Sequence, residues 1–121
     1  PRFRDRLSRV EVELAALELT SMRFLDKMRR SGQPPGADVS MLKIRGTEIR
    51  QEISSLMRRA MGPYAQPFVA EALEEGFDGP PVGPAEAASA AVQYFNNRKL
   101  SIFGGSNEIQ RNIISKMMLG L

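Results

Sequence analysis

The 121-residue chain contains no cysteine and no histidine. Disulfides, thiolate and imidazole catalysis and the common zinc sites are thereby excluded, so any chemistry falls to carboxylates, hydroxyls, backbone groups or a cofactor, and no metal ligation is expected. No apolar run approaches the roughly 20 residues that span a bilayer, and the opening PRFRDRLSRV lacks the apolar stretch of a signal peptide. A soluble, cytoplasmic protein without a membrane partner is expected. No useful length alternates apolar and polar residues with period two, which leaves no candidate strand, and no internal repeat is present.

A strong excess of charge is also missing, the net value being only +3. Basic residues do cluster (Arg2, Arg4 and Arg6; Arg29 and Arg30; Arg58 and Arg59; Arg98 and Lys99), but acidic residues alternate with many of them, as on a solvated helix face. With no helix-turn-helix pattern either, nucleic acid is not expected as a partner.

What is present is helical periodicity. Phe3, Leu7, Val10, Leu14, Leu17, Phe24 and Met28 recur at steps of four and three, predicting a long amphipathic helix over about 4–30. SGQPPGA, residues 31–37, ends it, because prolines and glycines do not continue a helix. Asp38 or Ser40 can cap a second helix, about 39–61, with Leu42, Ile49, Ile53, Leu56 and Ala60 on its apolar side, and Gly62-Pro63 stops it. EGFDGPPVGP, residues 75–84, reads as an irregular surface loop. An alanine-rich third helix follows over about 85–101 and a fourth over about 107–118. With 42% hydrophobic residues the chain can build a core, and the expected fold is a single all-α domain over 1–121, an up-and-down four-helix bundle. The first helix is long for a domain of this size, so an overhanging end that needs a partner is expected. The seven methionines, several near helix C-termini, read either as core filler or as interface residues.

The segment most suggestive of chemistry is IFGGSNEIQRNIISKMMLGL, residues 102–121. Gly104 and Gly105 precede Ser106 and Asn107, either of which can cap the last helix, and Glu108 falls in its first turn. Glycines let a backbone approach a ligand and a helix start offers free N–H groups, although the same residues also make an ordinary tight turn. Arg59, at the end of the second helix, reads either as a solvated cation or as a partner for a pyrophosphate.

YFNNRKLSIFGGSNEIQRNIISKMMLGL closely resembles the C-terminal signature of acyl-CoA dehydrogenases, and SMLKIRGTEIRQEISSLMRRAMGPYA resembles the family's preceding helix and turn. The resemblance covers essentially the whole chain. It implies the C-terminal helical domain of an enzyme that uses FAD to convert an acyl-CoA thioester into a trans-2-enoyl-CoA and hands electrons to an acceptor. By the same resemblance, Ser106 and Glu108, with Asn107 between them, contact FAD. Gly105 lies beside the acyl thioester, and Arg59 and Gly62 reach the FAD of a neighbouring subunit in a tetramer. Many members carry the catalytic glutamate where this chain has Gly104, which has no side chain and cannot be a base. In others the base lies on an earlier helix, here upstream of Pro1. The chain alone is therefore expected to be inactive and not to retain FAD. A stand-alone helical assembly module that pairs with a catalytic partner is the alternative.

Overall fold

The computed structural model describes residues 2–121. Its helices are α1 (Arg2–Ser31), α2 (Ser40–Met61), α3 (Ala87–Asn96) and α4 (Asn107–Ile114), and no strand occurs among the described residues. Short 3₁₀ turns occupy Ala37–Val39, Gly62–Ala65, Glu71–Leu73 and Asn97–Ser101, and a π turn, Ser115–Leu119, follows α4. The chain is all-helical, as its periodicity predicts. Contacts divide it into two compact units, Pro1–Arg50 with Lys99–Leu121, and Gln51–Arg98.

In the first unit, α1 runs antiparallel to the first half of α2. Lys27 pairs with Asp38 at 3.0 Å near the connection, and Arg45 reaches Glu13 at 3.4 Å further along. Gly46 leaves α1 room: a Cβ there would stand 3.8 Å from the Leu17 side chain. Asp38 was a candidate helix cap, yet its carboxylate goes to Lys27 and the turn Ala37–Val39 leads directly into α2. Val10, Ile44 and Ile49 are buried. The rest of the α1 stripe is less well covered, since Phe3, Leu7 and Leu14 are each more than 40% exposed. Val12, Leu19 and Met22, apolar residues of α1 outside that stripe, are exposed as well.

The second unit is built on small residues. Ala65, Ala87, Ala90 and Ala91 are buried with Leu56 and Ser54, so α3 packs closely against the turn Gly62–Ala65. Pro84 supplies the carbonyl that accepts the Ala87 N–H at 2.9 Å as α3 begins. The expected third helix extends to 101, but α-helical geometry ends at Asn96 and tightens to 3₁₀. A physical reason lies on α2. The Gln51 amide donates to the carbonyls of Asn97 and Arg98 at 3.1 and 3.3 Å, satisfying acceptors that a helix end leaves open.

Candidate functional site

The turn before α4 is organised by local capping chemistry. Ser106 has extended backbone angles, and its hydroxyl accepts the Ile109 N–H at 3.4 Å, so it is the N-cap that SNEI permits. Ahead of it, Gly104 and Gly105 have φ of +68° and +83°, in the left-handed region that favours glycine. A Cβ on Gly104 would meet nothing within 4 Å, so the space beside this backbone is open. A Cβ on Gly105 would lie 2.6 Å from Gln110 Nε2, the end of a flexible side chain.

Asn107 is turned inward. It is buried, and its Oδ1 accepts from Lys43 Nζ at 2.8 Å. Thr47 has one hydroxyl proton, which goes to the Ile44 carbonyl at 2.9 Å, so the hydroxyl oxygen accepts from Asn107 Nδ2 at 3.2 Å. Asn107 thus bolts the start of α4 to α2, and its amide is committed within the protein. The sequence offers Asn107 as an alternative cap and, by resemblance, as part of the cofactor-contacting turn; the cap is Ser106, and Lys43 and Thr47 are the partners the sequence does not reveal. The sole trace of them is their i,i+4 spacing, while their partner lies sixty or more positions away.

Glu108 faces water, with Arg111 3.9 Å away. Its carboxyl is held below the ordinary range by its own backbone N–H first and then by the Ser106 hydroxyl; partial desolvation opposes them, and the charges of Arg111 and Lys43 add smaller lowering effects. Arg111 also reaches Glu48 at 3.1 Å, and Glu48 takes Arg45 at 2.9 Å, so a chain of exposed ion pairs runs past the turn. A carboxyl whose charged form is favoured in this way is a hydrogen-bond acceptor and a weak base.

Gly104, Gly105, Ser106, Asn107 and Glu108 therefore lie together in the first unit, whereas Arg59 and Gly62 belong to the second. Arg59 is exposed and enters no ion pair among the described residues. Gly62 has φ of +56° with open space beside it, and it begins the 3₁₀ turn after α2.

Next to Arg59, Arg58 has a different environment. Its guanidinium lies 4.7 Å from the centroid of the Tyr94 ring, and that of Arg98 lies 4.8 Å from the same ring. Phe95 meets Tyr94 edge-on at 5.3 Å. The buried Arg58 Nε has no hydrogen-bond partner among the described residues, so the ring face is the contact recorded for this cation. Nothing in the sequence spacing links these residues, which lie on α2 and on α3 and its following turn.

No helix among the described residues is long and apolar enough to cross a membrane. A model of the family described as acyl-CoA dehydrogenase, C-terminal domain, matches residues 1–119. The comparison with curated proteins gives no match, and neither does the comparison with solved structures.

Proposed function

Because the chain belongs to the acyl-CoA dehydrogenase family, matching its C-terminal domain over nearly its full length, we propose that it is the C-terminal domain of an FAD-dependent enzyme. The reaction is α,β-dehydrogenation of an acyl-CoA thioester to the trans-2-enoyl-CoA, with electrons passed on to an acceptor. The observation that carries this reading is the turn at 104–108, where an open glycine backbone adjoins a capping hydroxyl and an exposed, readily ionised carboxylate. When bound, FAD supplies the hydride acceptor.

The groups present suit an edge contact with that cofactor. The Glu108 carboxylate offers it an acceptor, the Ser106 hydroxyl offers it a donor once its one proton turns from that carboxylate, and Asn107 holds the helix start that presents them. Gly105 keeps bulk away from the thioester, and Arg59 with Gly62 serves the FAD of a neighbouring subunit, where a guanidinium pairs well with a pyrophosphate. Gly104 has no side chain that can take the α-proton, and Glu108 is assigned to the flavin. The proton therefore goes to a carboxylate outside this chain. The exposed apolar residues of α1 become subunit contacts in a tetramer, and the four helices take up-and-down bundle order in that assembly. We place the enzyme in the cytoplasm.

In the flavin-loaded enzyme, Ser106→Ala and Glu108→Gln are each expected to weaken FAD retention about tenfold, the worth of one hydrogen bond, read from flavin fluorescence on release. The 121-residue chain alone is expected neither to hold FAD nor to oxidise an acyl-CoA. Turnover by that chain alone would overturn the reading, as would full FAD retention in both variants. The same exposed residues of α1 also suit a stand-alone assembly module. Intact-mass measurement of the native protein separates the two readings: a mass equal to these 121 residues supports the module, and a larger one the enzyme domain.

A further inference from the structure

Basic residues are absent from a long internal stretch. Between Arg59 and Arg98 there is no lysine or arginine, but there are five acids, Glu71, Glu74, Glu75, Asp78 and Glu86. All five are exposed, and none enters an ion pair among the described residues. Elsewhere most acids are neutralised: Asp5, Glu13, Asp26, Asp38, Glu48 and Glu108 each have a cation within 4.0 Å. Only Glu11, Glu18 and Glu52 are without an ion pair elsewhere among the described residues, so unpaired acids are concentrated in this stretch, and all seventeen basic residues of the chain lie outside it.

The same stretch encloses an apolar cavity of about 280 Å³, walled by Tyr64, Phe77, Pro81, Val82 and neighbouring prolines and alanines. An apolar cavity of roughly 150 Å³ takes a benzene ring, so this one has room for an aromatic or long aliphatic side chain. Tyr64, Phe77 and Val82 remain between 41% and 55% exposed, so the walls are accessible from solvent. Glycine maintains the shape on one side: Gly83 has φ of +81°, and a Cβ there would lie 2.4 Å from the Tyr64 ring. Three of the acids, Glu74, Glu75 and Asp78, flank Phe77 in the chain, and Glu71 adjoins the lining residue Ala72.

We propose that this cavity, whose lining residues have exposed acids as chain neighbours, docks a basic segment of a partner polypeptide, which inserts one bulky apolar side chain between Tyr64, Phe77 and Val82. Charge complementarity selects the occupant, because unpaired exposed carboxylates attract a cationic segment and disfavour an acidic one. The buried apolar anchor supplies the holding energy, and the acids supply attraction and a salt-dependent rate.

The test titrates the native protein into two fluorescently labelled peptides, KRKFKRK and KRKSKRK, and reads anisotropy. KRKFKRK is expected to bind at least about tenfold more tightly than the serine peptide, from burial of the phenyl ring. Its affinity is expected to fall by about tenfold or more between roughly 20 and 300 mM salt. The E71Q/E74Q/E75Q/D78N variant is expected to lose KRKFKRK binding while keeping its helical circular dichroism. Val82→Lys, which places a cation at an exposed wall position, is expected to do the same. The proposal is overturned if neither peptide binds, if both bind equally, or if both variants bind like the parent. It is also overturned if sedimentation shows self-association that the quadruple variant abolishes, because the cavity is then filled by a second copy.

Discussion

The two compact units are held together by different means. The first joins long helices through polar links: the Lys43–Asn107–Thr47 cluster and the exposed chain of Glu13, Arg45, Glu48 and Arg111. The second relies on close approach, with alanines buried in α3 and a tyrosine ring contacted by two guanidinium groups. Polar links depend on orientation, so they fix the direction in which a helix start points. Alanine packing depends on distance, so it tolerates no added volume. The turn at 104–108 lies in the unit whose links specify orientation.

Added volume in the second unit carries the largest expected cost. Ala87 is fully buried, and Ala87→Leu forces a larger side chain where α3 packs against its neighbouring turns. A loss of about 3 kcal/mol is expected in chemical denaturation, at the upper end of overpacking effects. Loss of less than about 1 kcal/mol would show that this contact can widen.

Asn107→Ala tests the first unit by chemistry instead of volume. It leaves the Lys43 ammonium without its 2.8 Å acceptor and Thr47 without its donor, in a partly buried setting. About 2 kcal/mol of stability is expected to be lost, because partners left without hydrogen bonds cost more than the bonds themselves contribute. The orienting role makes a further demand, that FAD retention fall in this variant although Asn107 itself need not touch the cofactor. Unchanged retention would make Asn107 a stabilising residue only.

These two sites also show what could be read from sequence. The 3-and-4 spacing from Phe3 to Met28 prescribes α1, and Pro34 with Pro35 prescribes its end, because both signals act over a few residues. The Ser106 cap is equally local, its acceptor three positions from its donor. Asn107 was placed at the right turn but without its partners, since Lys43 and Thr47 come from a distant helix. The third helix was read as too long for a similar reason: Gln51, on α2, takes the carbonyls at its end. The division into two units was illegible because it depends on which apolar positions find neighbours, and the α1 stripe looks the same in sequence whether covered or exposed.

Gly104→Ala is a smaller test, confined to the turn. The position is open, so the methyl group meets no atom, and the expected loss of about 1 kcal/mol comes from holding an L-residue at a φ of +68°. The same backbone penalty applies to Gly104→Glu, which places a carboxyl at this open position. That variant is expected to be destabilised like Gly104→Ala. A stability equal to the parent in both would mean that the turn relaxes to another conformation.

The smallest expected effect is the pH dependence of Glu108. Its folded-state pKa is lowered, chiefly by its own N–H and by Ser106, so the unfolded chain binds the proton more readily. The stabilisation is therefore fully present above the ordinary carboxylate range and is lost as pH falls through the lowered folded value. Glu108→Gln removes this linkage and leaves the other carboxylates in place. Melting temperatures of parent and variant, measured from neutral to acid pH, are expected to differ slightly near neutrality and to converge in acid. Because the carboxylate faces solvent, added salt is expected to narrow the neutral-pH difference. A gap that widened toward acid pH would reverse the sign and show that the folded turn favours the protonated carboxyl.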